Sequence, residues 1–458
     1  MIPDKHIDDL KSRFRGTLIS PDHAAYNTVR QVWNGTIDRR PRLIARCTSA
    51  SDVVEAVRFG REHNLLTAVR GGGHNVAGNA MCDDGLVIDL SMMKAVVVDP
   101  QARTARAEGG ATWADFDTET QKFGLATTGG LISSTGVAGL TLGGGIGWLM
   151  RTHGLASDNL ISADVVTASG ETLTASESKN ADLFWALRGG GGNFGVVTSF
   201  EYQLHPVSMV MGGMVIHPVA RAAELLRFYR DFARTAPDSV TLLFVFLTGP
   251  PAPFLPVELH GKPLVAIAVC GLDISAEGEK AVRALKEFGP PLVDLIGPMP
   301  YGVLQGLNDP SAPHGIRSYW KSEYLNELSD GAINALVDGM SRVQSPMSQI
   351  HVHQLGGAVA RVGPDATAVS HRSAAFVTNV LAMWPESSAD AAEIAWTRGV
   401  WEAMRPFGAG AYVNFLGEEG EERVRASYGE TTHAKLAAIK RRYDPTNFFR
   451  LNQNIRPS

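Results

Sequence analysis

The sequence predicts an α+β fold of two domains, and three observations support this prediction. The chain has 458 residues, which is too long for one compact hydrophobic core. In the first 205 residues, short strand-like runs alternate with helix-like runs and with three glycine-rich loops. Beyond His205-Pro206 the glycine runs stop, and longer helical patterns alternate with apolar strand patterns. This second pattern is typical of helices packed on an antiparallel sheet, so we expect a domain at 1–205 and another at 206–410.

The composition is that of an ordinary globular protein. Apolar residues make up 44% and charged residues 19%, and the net charge is −5, without the basic stripe of a nucleic-acid-binding protein. The polar start, Met1–Leu10, has no apolar leader, and no run approaches the roughly 18 apolar residues of a membrane-spanning helix. The three distant cysteines, Cys47, Cys82 and Cys270, indicate free thiols. We therefore expect a cytoplasmic protein with no nucleic-acid or membrane partner.

The first domain begins with a strand, a helix and a strand over residues 44–69. Ser51 is the expected N-cap of this helix. Residues 124–147 are rich in small residues and too irregular for a plain helix, so we expect backbone shaped around a ligand there. The other elements expected in this domain are strand 85–90, hairpin 95–110, helix 113–123 with Thr112 as its cap, strand 163–167, helix 181–187 and strand 196–204.

Hydrophobic periodicity also predicts the elements of the second half. Residues 308–315 are expected to form a loop, and residues 411–415 resemble a strand. The remaining expected elements are helices 220–233, 276–288, 330–343 and 434–443, and strands 240–247, 264–269 and 349–355.

The clearest chemical signal is a glycine run that ends in a histidine. Residues 70–75 read Arg-Gly-Gly-Gly-His-Asn and follow the strand-like residues 65–69. Further glycine runs stand at 143–147 and 189–195. One such run alone more often marks a turn or tight packing. Three runs in one region favour an extended, phosphate-bearing ligand, because glycine lets backbone N–H groups approach it closely.

A dinucleotide-binding Rossmann motif does not explain these glycines. Gly190, Gly192 and Gly195 satisfy the G-x-G-x-x-G spacing. The Rossmann motif needs a strand before and a helix after these glycines, whereas here a predicted helix precedes them and a predicted strand follows. The sequence also lacks G-x-x-x-x-G-K-[ST], so P-loop nucleotide chemistry is not expected.

The glycine runs belong to a longer series of motifs that carries a family resemblance. The series reads Val69–Asn75, Gly139–Gly147, Gly154–Asn159, Leu183–Val197, Tyr412–Asn414, Tyr443–Phe449 and Asn452–Asn454. In this order and spacing, over almost the whole chain, it resembles the FAD-linked oxidases of the vanillyl-alcohol oxidase superfamily, and most closely the berberine bridge enzyme-like branch. The resemblance implies an FAD-binding domain of the PCMH type at 1–205, an antiparallel-sheet substrate domain at 206–410, and a segment, 411–458, that returns to the FAD-binding domain.

The resemblance also implies how the cofactor is held. The family assigns the 70–75 loop to the FAD pyrophosphate and the histidine that matches His74 to a covalent bond with the isoalloxazine 8α-methyl group. Many members have a second link through cysteine, but that position is Ile132 here, so we expect one link only. By motif position, the expected FAD-binding residues are Arg70, Gly71, Gly72, Gly73, His74, Asn75, Thr128, Gly129, Ser134, Thr135, Gly136, Gly139, Gly143, Val197, Asn414, Asn452 and Asn454.

The candidate catalytic residues are His351, His353 and Tyr412. Sugar-oxidising and plant members often have a tyrosine base where this chain has Phe415, which cannot take a proton. His353 matches a position that is often acidic or tyrosine, and His351 shares its face of the strand. A base or polar clamp and an inert polar sheet face are equally open for this pair. No third ligand accompanies the two histidines, so we expect no metal. Trp320 and Tyr324 are further candidates for the pocket wall.

The resemblance implies hydride transfer from a C–H next to an amine or alcohol of a small molecule to the flavin, with O2 as the electron acceptor. Loss of the tyrosine base favours an amine over a sugar, and a role in secondary metabolism is equally open. The alternatives are a dehydrogenase that uses another acceptor, and a flavoprotein that has lost turnover. Thr135 matches, loosely, the residue that the family associates with oxygen access. The sequence leaves the oligomeric state open.

Overall fold

The structure, a computed structural model, describes residues 4–458. The sequence prediction of a polar N-terminus rests partly on residues 1–3, which lie outside the described residues. Helices of the first domain lie at Asp4–Arg13 (α1), Tyr26–Val29 (α2), Ala50–Glu62 (α3), Trp113–Thr120 (α4), Val137–Leu142 (α5), Met150–His153 (α6) and Ala181–Leu187 (α7). Its strands lie at Thr17–Ile19 (β1), Leu43–Arg46 (β2), Thr67–Arg70 (β3), Leu86–Asp89 (β4), Val96–Asp99 (β5), Thr104–Glu108 (β6), Leu125–Ala126 (β7), Leu160–Val166 (β8), Thr172–Ser176 (β9), Val196–Gln203 (β10) and His205–Pro206 (β11).

Two sheets form most of the first domain. One has the order β1-β2-β4-β3, in which β4 pairs in parallel with both β2 and β3. The other is antiparallel, with the order β5-β6-β10-β8-β9. The glycine-histidine loop leaves the end of β3, so it emerges at one edge of the parallel sheet. The predicted strand-helix-strand start is confirmed, but the cap of α3 is Ser49, whose hydroxyl accepts from the Asp52 N–H, and the predicted cap Ser51 lies inside the helix.

A large antiparallel sheet forms the second domain, as predicted. Its strands lie at Met209–Pro218 (β12), Val240–Thr248 (β13), Pro263–Gly271 (β14), Val293–Asp294 (β15), Gly297–Pro300 (β16), Arg317–Leu325 (β17), Gln349–Gln354 (β18), Phe376–Trp384 (β19) and Gly408–Gly410 (β20). Helices at Ala222–Thr235 (α8), Ala276–Glu287 (α9), Tyr301–Gly306 (α10), Asp330–Ser341 (α11), Ala358–Arg361 (α12) and Asp390–Met404 (α13) accompany them. The order of the sheet is β15-β12-β14-β13-β18-β19-β17-β20, with β16 also on β12.

The two faces of this sheet have different partners. Side chains alternate between the faces along each strand, and Phe244 and Phe246 of β13 pack into one core with helices α8, α11 and α13. Each such fully buried aromatic or aliphatic side chain stabilises the fold by about 1.5–3 kcal/mol. Leu243, Val245 and Leu247 point to the other side, where they line a cavity against the first domain.

Two sequence predictions near the site are wrong in detail. Residues 124–147 contain a regular helix, α5. Its N-cap is Gly136, which contacts Gly72 of the first glycine loop. Residues 411–415 do not form a strand. The paired strand is β20, just before them, and the chain then turns as a short 3-10 helix, Val413–Phe415. The Phe415 N–H donates to the Tyr412 carbonyl and closes this turn.

The C-terminal segment packs on the first domain through helices Glu421–Tyr428 (α14) and Glu430–Tyr443 (α15), the second of which contacts α7. Buried polar contacts also join the two domains. The Arg151 guanidinium in α6 donates to the Val240 carbonyl at 2.8 Å, and Gln305 in α10 donates to the Asp117 carboxylate in α4 at 3.0 Å. Within residues 4–458, no helix is long and apolar enough to span a lipid bilayer.

Candidate functional site

A cavity of about 1300 Å³ lies between the two domains. This volume exceeds the roughly 300–1,000 Å³ of ordinary small-molecule pockets, so it has room for a large ligand and a smaller one together. The glycine loops of the first domain form one wall, and strands β13, β14, β18 and β19 form the opposite wall.

The first glycine loop is held by close backbone packing. Gly73 adopts a φ of 69°, a conformation that glycine accepts readily. A Cβ atom on Gly72 would lie 2.4 Å from the Gly136 nitrogen, so the loop and the start of α5 approach at a distance that only glycine permits. The two segments therefore meet as bare backbone at the cavity wall, which suits the binding of an anionic group by N–H donors.

His74 follows these glycines and lines the cavity. Its ring stacks on Trp33 at a centroid distance of 4.5 Å and an angle of 19°, and its Nε2 atom lies 3.4 Å from the Ser134 hydroxyl. Burial lowers the pKa of His74 to about 4. The imidazole is therefore neutral at neutral pH, with its orientation fixed by the indole.

Many of the residues expected to bind FAD lie together in the wall. Those that line the cavity are Gly71, Gly72, Gly73, His74, Asn75, Thr135, Gly136, Gly139, Val197, Asn414 and Asn452. A Cβ on Gly139 or on Gly192 would meet no atom within 4 Å, so open space lies directly against the backbone at both positions. The Asn452 Oδ1 atom is buried without a partner among the described residues. Bare backbone, open space and an unused acceptor are what a flat ring system with a diphosphate requires.

The other six expected residues do not line the cavity, and three of them make contacts that support its wall from behind. The Arg70 side chain turns away and donates to the Val29 carbonyl, and the Thr128 hydroxyl donates to the Gly154 carbonyl at 2.7 Å. Gly143 packs against the amide of Asn414, which itself lines the cavity. The remaining residues outside the lining are Gly129, Ser134 and Asn454.

His351 and His353 both face the cavity, on the same side of β18. His351 lies 2.7 Å from the Gln349 amide oxygen through its Nε2 atom, and burial lowers its pKa to about 4. The Nε2 atom of His353 is buried without a partner among the described residues, and burial also lowers the pKa of this ring. Both imidazoles are therefore neutral at neutral pH.

The structure places Tyr412, the third candidate catalytic residue, behind the cavity wall. Tyr412 is buried and does not line the cavity. Its hydroxyl accepts from the Gly145 N–H at 2.8 Å and from the Asn414 amide at 2.9 Å. These bonds hold the second glycine run and the Asn414 side chain in place. Tyr324 is also outside the lining, where it stacks on His371 at 5.2 Å, whereas Trp320 and Phe415 line the cavity as expected.

The contribution of β19 was not predicted from the sequence. Asn379, Leu381 and Met383 of this strand line the cavity, and Asn379 is 1% exposed with its Oδ1 atom unpaired among the described residues. A single asparagine inside the apolar run Phe376–Trp384 is the signal that could have identified it, because a buried amide without a partner is costly.

Charged side chains are absent from the described lining of the cavity, which contains no lysine, arginine, aspartate or glutamate. Its titratable residues are His74, His260, His351 and His353. Within the part of the chain that the structure describes, no group of three or more His, Cys, Asp or Glu side chains could hold a metal ion.

Comparisons with known proteins agree with this geometry. A family profile described as "FAD binding domain" matches residues 41–176, and one described as "Berberine and berberine like" matches residues 411–456. The chain is 33% identical to (R)-6-hydroxynicotine oxidase of Paenarthrobacter nicotinovorans, over 97% of each protein. It is 34% identical to an FAD-linked oxidoreductase of Dictyostelium discoideum, over 94% of this chain and 92% of that protein.

The structural comparison gives the same result over the whole chain. The crystal structure of 6-hydroxy-D-nicotine oxidase from Arthrobacter nicotinovorans matches with a TM-score of 0.88 and 30% identity, covering 97% of this chain and 98% of that one. The expected two-domain α+β fold is therefore confirmed. The chain belongs to the berberine bridge enzyme-like branch of the FAD-linked oxidoreductases, within the vanillyl-alcohol oxidase superfamily.

Proposed function

We propose that this enzyme is an oxidase that carries FAD on one covalent bond, through His74, and oxidises a C–H next to an amine or alcohol of a small molecule, with O2 as the electron acceptor. Bound FAD would supply the hydride acceptor, which no side chain can provide. The residues proposed to hold it are those of the glycine-loop wall, with the backbone of Gly71, Gly72 and Gly73 at the pyrophosphate. FAD-linked relatives and the open space against Gly139 support this assignment.

The proposed covalent bond to the flavin is argued from the position and the protonation state of His74. A neutral imidazole nitrogen is a competent nucleophile, and His74 stays neutral because burial lowers its pKa to about 4. Trp33 holds the ring over the cavity. A second link has no thiol available, because Ile132 lines the cavity at the expected position and none of Cys47, Cys82 and Cys270 does.

The chemistry proposed for the wall opposite the glycine loops depends on uncharged side chains. Phe415 lines the cavity and offers no proton acceptor. His353 presents an unpaired Nε2 atom, which can accept the proton of an alcohol or bind the lone pair of an amine through an N–H, depending on its tautomer. An amine that enters uncharged needs no base, which favours amines over substrates that require strong deprotonation.

Replacing His74 tests the covalent link directly. We expect His74→Ala to run as a non-fluorescent band on a denaturing gel, whereas the wild-type band shows flavin fluorescence that survives denaturation. His260→Ala is the matched control, because His260 also lines the cavity but lies in the second domain. Flavin retained by denatured His74→Ala, or released from the denatured wild type, would refute the proposed link.

The electron acceptor needs a separate measurement. Stopped-flow mixing of the reduced enzyme with O2 should give reoxidation much faster than that of free flavin. A rate no faster than free flavin would indicate a dehydrogenase, and Thr135, which lines the cavity, is then the residue to replace by alanine. A cytoplasmic location is proposed from the three buried free cysteines, and cell fractionation would test it.

A further inference from the structure

The cavity offers the substrate no ionic partner. Its described lining has no carboxylate, ammonium or guanidinium group, and its histidines at 351 and 353 are held neutral by burial. An ion moved from water into such surroundings loses solvation that nothing in the wall replaces. The second-domain wall therefore disfavours both carboxylate-bearing and permanently cationic substrates.

Three buried polar atoms in the second-domain wall lack partners among the described residues. They are Oδ1 of Asn379, Nε2 of His353 and Nε1 of Trp320, all of which belong to residues that line the cavity. Asn379 and His353 are only 1% and 4% exposed. A buried polar atom without a partner costs about 1–3 kcal/mol, so these three atoms mark a place where a ligand completes the hydrogen bonds.

The register of the sheet places Asn379 between the other two side chains on one face. Asn379 of β19 pairs with His351 of β18 on one side and with Ser322 of β17 on the other. His353 and Trp320 each stand two residues from those partners, so both are diagonal neighbours of Asn379. His353 stands beside Val377 and Trp320 beside Leu381, so the two rings flank Asn379 from opposite directions along β19. Because diagonal neighbours are about 7–8 Å apart, one hydroxyl or amine group can reach Asn379 together with one of these two rings.

Building on the proposed function, we propose that the substrate is an uncharged, largely apolar molecule with one donor-acceptor group, an alcohol or a free-base amine, held by Asn379 and one of its two diagonal neighbours, Trp320 or His353. The Asn379 oxygen accepts the hydrogen of this group, and the N–H of Trp320, or of His353 in the tautomer that carries the proton on Nε2, donates to its lone pair. Leu243, Leu381 and Met383 surround the apolar body. A sugar fits this part of the wall poorly, because Leu243, Leu381 and Met383 would cover hydroxyl groups that need hydrogen-bond partners.

The experiment uses the flavin-loaded enzyme and a series of ligands with one skeleton. The probes are 1-phenylethanol, ethylbenzene, 2-phenylpropionate and 1-phenylethyl-trimethylammonium, with glucose for comparison. Binding is measured without oxygen, from the change in the visible flavin spectrum. We expect 1-phenylethanol to bind at least about tenfold more tightly than either ion or glucose. For 1-phenylethylamine, the apparent affinity should rise about tenfold per pH unit until the pH reaches the pKa of the amine.

Asn379→Leu tests the assigned residue. We expect it to weaken 1-phenylethanol binding by about tenfold and to leave ethylbenzene binding unchanged, since ethylbenzene has no group for Asn379 to bind. Asn326→Leu is the matched control, because Asn326 is exposed just after β17 and should bind both probes normally. Unchanged ethylbenzene binding also shows that the variant is folded.

Two results would overturn the inference and leave the oxidase proposal standing. One is an ion or glucose that binds as tightly as the alcohol to an enzyme that still contains flavin. The other is an equal loss of alcohol and ethylbenzene binding in Asn379→Leu, which would show a structural role. Failure of the oxidase proposal has a different signature, because the purified enzyme would then lack flavin or the bound probes would never reduce it.

Discussion

At the residue scale, Gly139 is a position where the absence of a side chain serves the proposed cofactor and not the packing of the fold. It lies inside helix α5, where glycine costs about 1 kcal/mol relative to alanine or leucine. Packing within the described protein does not require glycine here, since a Cβ at this position would meet no atom within 4 Å. Its backbone nevertheless lines the cavity, so the free space is best explained by the cofactor.

Gly139→Leu separates these two roles. We expect the variant purified from riboflavin-limited cells to melt at or above the temperature of the wild type prepared likewise, because leucine is the better helix former. When both are supplied with FAD, the variant should retain much less flavin per protein, because the new side chain occupies the binding space. The absorbance ratio at 450 and 280 nm reports this. Equal flavin content would contradict the placement of FAD against α5.

Helix α15 and the residues that follow it depend on one buried ion pair. The Lys440 ammonium donates to Asp444 at 2.6 Å, to the Asn193 carbonyl at 2.6 Å and to the Phe449 carbonyl at 2.8 Å, which uses all three of its hydrogens. Asp444 in turn accepts from the N–H groups of Phe448 and Phe449. The pair thus ties the C-terminal segment to the third glycine run and sets Phe449 in the cavity wall.

Lys440→Met should be strongly destabilising, because it leaves the Asp444 carboxylate buried without a counter-ion. Removal of one partner of a buried pair costs about 3–5 kcal/mol, which urea unfolding followed by circular dichroism would measure. Arg441→Met is the control, since Arg441 is exposed on the same helix and should unfold as the wild type does. A wild-type midpoint for Lys440→Met would show that the C-terminal segment does not rely on this pair.

At the scale of the whole molecule, a buried carboxyl group lies where the two domains meet. Asp117 of α4 accepts from Gln305 of α10, and its second oxygen has no partner among the described residues. Burial raises the pKa of Asp117 to about 7, well above the ordinary value of an aspartate side chain. As the pH rises from about 4 to 7, the unfolded chain releases this proton and the folded protein keeps it, so the folded state loses stability over that range.

Asp117→Asn removes this pH dependence, because an amide does not ionise and can still accept from Gln305. We expect the variant and the wild type to have similar stability near pH 4. The variant should become more stable by up to about 4 kcal/mol at pH 7, and the difference should stay constant above it. Thermal melts at pH 4 to 8 test this. A difference that does not grow with pH would show that Asp117 ionises normally in the folded protein.

The sequence alone determined the fold class and singled out the glycine-histidine loop that we propose binds the cofactor. Both follow from residues that are close together in the sequence. For the loop these are a strand, then Gly71-Gly72-Gly73, then His74, and glycine is the residue that permits close backbone approach. The helices and strands with long apolar periods were also predictable, because their residues specify them within one short segment. Predictions were weaker at the 411–415 turn, where Tyr412 bonds to residues 145 and 414 and not to its own strand.

Only the tertiary structure decided which residues form the second-domain wall of the cavity. Asn379 and His353 lie 26 positions apart in the sequence, and the pairing of β18 with β19 places them on one face. The same packing withdraws Tyr412 and Tyr324 from the cavity and leaves its described lining without a charged side chain. These properties depend on the register of distant strands, which no short segment specifies, because a shift of one residue would turn each side chain to the opposite face.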